Sequence, residues 1–190
     1  MTLLKEKNYG TPKVTSDNTV TGYIDGIEIS VPEGTSIMRA ASMVGIDIPS
    51  LCASDNLDAF GSCRLCIVDF EGRKGFGYPS SCTSPLNNGM KVITKNNHLE
   101  SLRKDLLEMY ISDHPLDCNT CSSDGDCDLQ NQADNHDLLK NNHLLPSKYT
   151  FDDSCNHLGA DVDSSNPYFN FDTEKCIVCS RCVRACNEVQ

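Results

Sequence analysis

The sequence predicts an α+β fold in which bound metal stabilises a small core. Two alternating apolar runs joined by Asp25-Gly26 predict a β-hairpin near the N-terminus. Apolar residues at helical spacing predict a helix directly after it: Ile37, Ala40, Ala41 and Val44. Eleven of the twelve cysteines fall into three groups that each contain a C-x2-C pair. Only 38% of the 190 residues are hydrophobic and Trp is absent, so we expect metal to supply part of the folding free energy.

Several classes of protein are excluded by the composition. No run of about 18 apolar residues exists, so no membrane span is predicted. Residues 1–17 contain no apolar segment of the kind found in signal peptides, so none is expected. Cysteines two residues apart in tight loops are poor partners for structural disulfides. We therefore expect thiolates in a reducing compartment and predict a cytoplasmic protein.

The net charge of −11 is concentrated in one part of the chain. Residues 113–174 contain thirteen Asp and Glu against Lys140 and Lys148, and the rest of the chain balances to zero. A chain without a basic patch is not expected to bind nucleic acid. The acidic stretch is interpreted as a solvated connector, and the alternative is a docking face for a basic partner subunit.

Residues 19–97 are predicted to form a β-grasp domain that follows a disordered tail at residues 1–18. The predicted order is a hairpin, a helix, a cysteine loop and further strands. Thr35 or Ser36 can cap the helix, and Gly45 can end it. Four strands are predicted: Thr19–Ile24, Ile27–Val31, Leu65–Phe70 and Met90–Thr94.

A second helix is predicted from residue 97, because Asn97 and Glu100 have the spacing of a capping box. Its predicted apolar face consists of Leu99, Leu102, Leu106 and Met109. His98 is interpreted as a surface or capping residue. This helix opens a predicted domain of residues 98–137. An acidic connector of residues 138–171 follows, with one short helix indicated by Leu138, Leu139, Leu144 and Leu145.

The first cysteine group is Cys52-x10-Cys63-x2-Cys66-x15-Cys82. Plant-type ferredoxins bind a [2Fe–2S] cluster with C-x4-C-x2-C and a distant fourth cysteine, so the x2 pair and the distant partner are shared. Gly61 precedes this pair and allows backbone N–H groups to approach the cluster sulfurs. The alternative is a zinc site with four thiolates, but the long gaps fit a zinc ribbon badly. The spacing therefore favours [2Fe–2S].

The second group is His114-x3-Cys118-x2-Cys121-x5-Cys127. Three thiolates and one imidazole are a ligand set for a soft metal centre, and structural zinc uses the same set. Spacing alone leaves zinc and [4Fe–4S] equally open. Its position between two ferredoxin-like groups favours a [4Fe–4S] cluster with one histidine ligand.

The third group is Cys176-x2-Cys179-x2-Cys182-x3-Cys186, the run found in bacterial ferredoxins. In that run the first three cysteines bind one [4Fe–4S] cluster and the fourth binds a second. No partner motif follows before Gln190, so residues 172–190 are predicted to be a truncated ferredoxin-type domain of a longer polypeptide. The fourth ligand of the first cluster is then missing. Closure of that cluster by Cys186 is disfavoured.

Two residues outside the groups are not expected to bind metal. Cys155 is predicted to be a free cysteine, and His157 is not assigned as a ligand.

The three groups, in this order, resemble the N-terminal electron-transfer region of a family of large iron–sulfur subunits. The family includes the subunit of respiratory complex I, the diaphorase part of NAD-linked hydrogenases and NAD-dependent molybdenum formate dehydrogenases. Within it, the chain is most similar to the formate dehydrogenase alpha subunit. The resemblance covers residues 19–190 and is carried by Ile46–Cys52, Phe60–Cys66, Met109–Cys118 and Ser165–Cys186. Asn187 departs from the family, which more often has an acidic residue there.

The resemblance implies a [2Fe–2S] site at Cys52, Cys63, Cys66 and Cys82, and a [4Fe–4S] site at His114, Cys118, Cys121 and Cys127. Two further [4Fe–4S] clusters begin in this family at Cys176, Cys179, Cys182 and Cys186. The implied function is electron relay from formate, oxidised at a molybdopterin domain absent from these residues, to a flavin/NAD-binding subunit. No residue here is expected to be catalytic, and no substrate site is expected. The alternatives are a diaphorase subunit of an NAD-linked hydrogenase or NADH dehydrogenase, and a zinc-stabilised interaction module.

Overall fold

A computed structural model describes residues 7–72, 77–150 and 161–189 of the chain. The chain divides into two compact units, one formed by Met1–Leu99 with Ser180–Gln190 and the other by Glu100–Cys179. Each unit combines helices with strands, which confirms the predicted α+β class. Cys155 and His157 lie outside the described residues, so their assignment stays a prediction.

The first unit begins with the predicted hairpin. Strand β1, Thr19–Ile24, pairs antiparallel with strand β2, Ile27–Pro32, in a register that places Ile24 opposite Ile27. Asp25 and Gly26 form the turn with φ values of 47° and 85°. Two positive φ values in a two-residue loop define the type I′ turn that suits the twist of paired strands. The hairpin prediction is confirmed.

Two short strands complete the sheet. Strand β3 is Asp69–Phe70 and strand β4 is Lys91–Ile93, and the sheet order is β2-β1-β4-β3 with β1 and β4 parallel. The predicted strand Leu65–Phe70 is therefore too long. Its first part leaves the sheet, because Cys66 O accepts a hydrogen bond from Ser81 N and Val68 N donates to Pro79 O. This stretch pairs with the loop that carries Cys82.

Helix α1, Ile37–Met43, packs on this sheet as predicted. The Ser36 hydroxyl accepts a hydrogen bond from Arg39 N, and Gly45 follows the helix with a φ of 84°. The helix buries Ile37, Ala40 and Ala41 in the same apolar cluster as the strand residues. Its N-cap is Ser36, one of the two residues that the sequence allowed.

The predicted disordered tail is wrong for residues 7–11, which contact α1. Thr11 is buried, and its hydroxyl lies 2.6 Å from the Ser36 hydroxyl. Lys7 Nζ donates to Ser42 O at 2.6 Å, and the Arg39 guanidinium lies over the Tyr9 ring. These are single polar contacts without periodicity, so no pattern in the sequence predicts them.

Helix α2, Asn97–Ser112, begins one residue before the position that a cap at Asn97 predicts, and it has a different cap. Leu99 N donates to Asn96 Oδ1 at 2.8 Å, so Asn96 is the N-cap in place of Asn97. The predicted apolar face is also partly wrong, because Met109 is 52% exposed while Arg103, Leu107 and Ile111 are buried. Arg103 can occupy a buried position because its guanidinium pairs with Glu100 at 2.7 Å.

The second unit continues with a 3-10 turn, Cys118–Thr120, and helix α3, Asp128–Asp134. The short helix predicted at residues 138–145 is a β-hairpin instead, formed by β5, Leu139–Lys140, and β6, His143–Leu144. Its turn residues Asn141 and Asn142 have φ values of 50° and 63°. Asparagine tolerates the left-handed region, and two such residues in sequence select a hairpin turn over a helix.

Helix α4, Arg181–Val189, belongs to the first unit although it ends the described chain. Among the described residues, no helix combines the length and apolar character that a bilayer crossing requires.

Candidate metal centres

The structure brings the four cysteines of the first group together in the first unit. Their side chains are at most 2% exposed, and all four are free thiols: Cys52, Cys63, Cys66 and Cys82. Cys66 Sγ lies 3.4 Å from Cys82 Sγ. The Cys63 and Cys82 thiols are the two largest influences on the Cys52 sulfur, and both lower its pKa. Cysteines that lie far apart in sequence therefore share one buried site.

The electrostatics of this site favour anionic sulfur at Cys52 and Cys66 and neutral thiols at Cys63 and Cys82. The Cys63 thiol lowers the pKa of Cys52, and Cys82 adds to the effect. The Cys82 thiol lowers the pKa of Cys66 to about 6, although burial opposes this shift. The Cys52 thiolate in turn raises the pKa values of Cys63 and Cys82. Thiolates buried this deeply require a positive partner, and a bound metal group supplies one.

Hydrogen-bond donors surround the sulfurs. Leu51 N donates to Cys63 Sγ at 3.4 Å. The Ser62 and Ser81 hydroxyls contribute to the lowered pKa values of Cys52 and Cys66. Neither buried hydroxyl completes a hydrogen bond of ordinary geometry within the described residues, so both can donate to sulfur. Donors of this kind tune the potential of an iron–sulfur cluster, and the donor set fits a [2Fe–2S] group.

Gly61 is required by the backbone beside this site. Its φ is 71°, and a Cβ at this position would lie 3.1 Å from Thr83 Cγ2. Glycine alone combines the left-handed conformation with this close approach at no steric cost. The structure thereby explains why the loop before Cys63 carries glycine.

His114 follows the end of α2 in the second unit and is partly buried. Its backbone N donates to Ile111 O at 3.2 Å. Its Nδ1 lies 2.9 Å from Pro115 O, and a carbonyl can only accept, so Nδ1 carries the proton. Nε2 then presents the lone pair that a metal ligand needs.

The three cysteines of the second group lie on a short, tightly bonded loop. Cys118 is 5% exposed, and its carbonyl accepts from Cys121 N at 3.0 Å. Cys127 is the N-cap residue of α3. Side-chain hydrogen bonds do not join His114 and these three cysteines, and no three His, Cys, Asp or Glu among the described residues converge on a single metal ion. The ligand assignment for this group stays a prediction.

Gln130 supports this loop and gave no signal in the sequence. Its side chain is buried on α3. Its Oε1 accepts from Gly125 N at 3.1 Å, and its Nε2 donates to Asp124 Oδ1 at 2.9 Å. One amide thus holds the segment between Cys121 and Cys127. A single glutamine in a polar stretch has no pattern that would have revealed this role.

The third group is divided between the units. Cys176 and Cys179 belong to the second unit, and Cys182 and Cys186 lie one turn apart on α4 in the first. Val178 has a φ of 52°, which is rare for a β-branched residue. The ligand roles of this group also stay predictions.

Two arginines on α4 reach the first group and were not assigned a role from the sequence. The Arg184 guanidinium donates to Cys52 O at 2.5 Å, and Arg181 donates to Ala53 O at 3.1 Å. Both carbonyls lie 128 or more residues earlier in the chain. Spacing along the sequence cannot reveal a contact of this range.

Comparison with known families finds an iron–sulfur binding family for each of two segments of the chain. Residues 17–97 match a family described as a 2Fe-2S iron-sulfur cluster binding domain. Residues 103–141 match the NADH-ubiquinone oxidoreductase-G iron-sulfur binding region. A solved chain of an NAD+-reducing [NiFe]-hydrogenase in the H2-reduced state is 32% identical, with a TM-score of 0.77, and the match covers 90% of this chain and 67% of that one. The chain belongs to the family of iron–sulfur subunits of NADH-quinone oxidoreductases and NAD-linked hydrogenases.

Curated relatives agree with this family. A subunit of the NADH-quinone oxidoreductase of Streptomyces coelicolor is 37% identical over 95% of this chain. The HndD subunit of the NADP-reducing hydrogenase of Solidesulfovibrio fructosivorans is 38% identical over 88% of it. The chain spans 20% and 27% of the length of these two relatives. The prediction of an iron–sulfur electron-transfer protein with [2Fe–2S] and [4Fe–4S] binding regions is confirmed at the family level.

Proposed function

We propose that this chain relays single electrons through a [2Fe–2S] and a histidine-ligated [4Fe–4S] cluster in a multi-subunit, NAD-linked oxidoreductase. The observation that carries the proposal is the buried set of four cysteine sulfurs in the first unit, 0–2% exposed and surrounded by donors. The clusters supply one-electron chemistry when bound. The residues of the chain hold them and exclude water.

The proposed ligands are those that the sequence predicts. Cys52, Cys63, Cys66 and Cys82 hold the [2Fe–2S] group. His114, Cys118, Cys121 and Cys127 hold the [4Fe–4S] group, supported by the proton on His114 Nδ1 and by the loop that Gln130 anchors. Cys176, Cys179, Cys182 and Cys186 are proposed to begin further [4Fe–4S] sites.

Two electron donors are proposed. One is a molybdopterin domain that oxidises formate, as in the formate dehydrogenase resemblance. The other is hydrogen or NADH, with the chain as the diaphorase iron–sulfur subunit of an NAD-linked hydrogenase or NADH dehydrogenase, and the relatives named above support this alternative. Both require a flavin/NAD-binding partner subunit. A cytoplasmic location is proposed with either.

Metal analysis of the anaerobically purified chain tests the proposal. We expect about six iron and six sulfide per chain from the first two sites. Cys155→Ser, outside the three groups, should keep this content, whereas Cys66→Ser should lose the [2Fe–2S] signal. A colourless protein that contains zinc without iron or sulfide would establish the zinc-stabilised interaction module instead.

The donor is identified with the assembled complex. Formate, hydrogen and NADH are added separately under anaerobic conditions, and bleaching of the cluster absorbance is recorded. Bleaching by formate supports the formate dehydrogenase assignment. Bleaching only by hydrogen or NADH contradicts it and supports the hydrogenase or NADH dehydrogenase.

A further inference from the structure

We propose that Arg184 is a positioning residue for the [2Fe–2S] site, which holds the Cys52 loop and stabilises the reduced state of the cluster. This inference rests on the proposed function of that site. It is carried by the contacts of a buried guanidinium that no carboxylate neutralises within the described part of the chain.

The Arg184 guanidinium joins two parts of the ligand loop. Its Nη2 donates to Cys52 O and its Nη1 to Asp58 O, each at 2.5 Å. The planar fork of arginine holds two carbonyls in a fixed relative geometry, whereas the ammonium of lysine is a point charge with rotatable donors. The segment from Cys52 to Asp58 is thereby closed on one side chain of α4.

Two further residues of α4 hold the same loop. Arg181 Nη2 donates to Ala53 O at 3.1 Å, and Glu188 Oε2 accepts from Asp58 N at 2.8 Å. The Arg184 guanidinium also lies 5.6 Å from the centre of the Phe60 ring. The loop that carries the first cluster ligand is therefore fixed to a helix through side chains.

The Arg184 guanidinium forms no ion pair within the described residues. The residue is 7% exposed. Its Nε–H is buried without a hydrogen-bond partner there. A buried charge is costly unless an opposite charge lies close by. We assign this opposite charge to the cluster and its thiolate ligands. Arg184 binds the backbone carbonyl of one of these ligands, Cys52.

The same charge favours the reduced cluster. A cluster held by four thiolates is negative, and it gains one further negative charge when it accepts an electron. A buried cation nearby stabilises that additional charge, and solvent and salt screen it little. Arg184 should therefore raise the reduction potential of the [2Fe–2S] site. Asp55, in the same loop, opposes this effect little because Arg39 lies 3.7 Å from it.

The test measures the midpoint potential of the [2Fe–2S] signal by EPR-monitored titration of the anaerobically purified chain. Arg184→Gln should shift the one-electron equilibrium about tenfold toward the oxidised cluster, which is about 59 mV. Arg184→Lys keeps the charge, so its midpoint potential should lie close to that of the wild type. Glu188→Gln keeps an acceptor for Asp58 N but removes a negative charge, so its potential should rise.

Lys95→Gln is the matched control, because Lys95 is an exposed cation of the same unit and makes no hydrogen bond or ion pair with residues 52–58. Its potential should equal that of the wild type. Hydrogen exchange gives a second measurement that does not need the cluster: amides of residues 52–58 should exchange faster in Arg184→Gln and not in Lys95→Gln.

The outcomes separate this inference from the proposed function. Wild-type protein without iron ends the proposed function, and this inference with it. Iron-loaded Arg184→Gln with an unchanged potential overturns this inference alone. If Arg184→Gln loses its iron, hydrogen exchange at residues 52–58 is compared with that of metal-free wild-type protein: faster exchange in the variant supports the inference, and equal exchange overturns it.

Discussion

Lys175 and Asp117 form an ion pair in the second unit, with the ammonium nitrogen 3.0 Å from a carboxylate oxygen. Asp117 precedes Cys118 and Lys175 precedes Cys176, so the pair joins the chain segments of two predicted cluster-binding groups. The hydrogen bond to Asp117 raises the pKa of Lys175. The side chains are 35% and 39% exposed, so solvent screens the attraction.

Lys175→Gln should lower the free energy of unfolding by less than about 1 kcal/mol. The loss should shrink in high salt, because exposed pairs are screened. Since the pKa of Lys175 is raised, the contribution is complete below the ordinary lysine pKa of 10.5 and is lost as the pH rises through the raised pKa. Urea unfolding at two salt concentrations measures the effect, with exposed Lys140→Gln as the control. A larger loss that is insensitive to salt contradicts this account.

His114→Ala should remove or destabilise the [4Fe–4S] cluster and leave the [2Fe–2S] signal intact, because the two ligand sets lie in different units. EPR spectra and iron content of the reduced protein measure this. His98→Ala, which changes an exposed histidine, should keep both signals. Simultaneous loss of both signals would mean that the two sites fold as one unit.

Gln130→Ala should destabilise the loop between Cys121 and Cys127. The change removes the partners of Gly125 N and Asp124 Oδ1, two exposed residues, and a hydrogen bond of this kind contributes about 0.5–1.5 kcal/mol. Iron retention after mild chelation and the unfolding midpoint measure the effect. Asn131→Ala, on the exposed side of the same helix, is the control and should behave as the wild type. If the two variants retain iron equally and have the same unfolding midpoint, Gln130 does not support the site.

Asn96→Ala should cost about 1 kcal/mol of stability, because it removes the acceptor for Leu99 N at the start of α2. Asn97→Ala should cost less, since Asn97 lies inside the helix and is exposed. Thermal unfolding of the two variants measures the difference directly. If Asn97→Ala costs more stability than Asn96→Ala, the capping box that the sequence predicts at Asn97 is correct.

The parts of the fold that sequence predicts correctly depend on neighbouring residues. The Asp25-Gly26 turn is determined by two residues that tolerate positive φ, and α1 by Ser36, Gly45 and the apolar spacing between them. Where two local signals compete, the prediction fails. Asn96 and Asn97 are chemically identical caps, and only the backbone geometry selects Asn96. At residues 138–145, four leucines indicate a helix, but the two asparagines of the turn select a hairpin.

By itself the sequence determined the α+β class, the hairpin, the first helix and the three cysteine groups, because each follows from residue types and their spacing along the chain. Only the tertiary structure decided which residues surround the cysteines. It placed Arg184 on the Cys52 carbonyl, 132 residues away, and buried Arg103 beside Glu100. A charged side chain is buried at low cost only where hydrogen-bond acceptors or an opposite charge lie close in space, and the linear order of residues does not contain that distance.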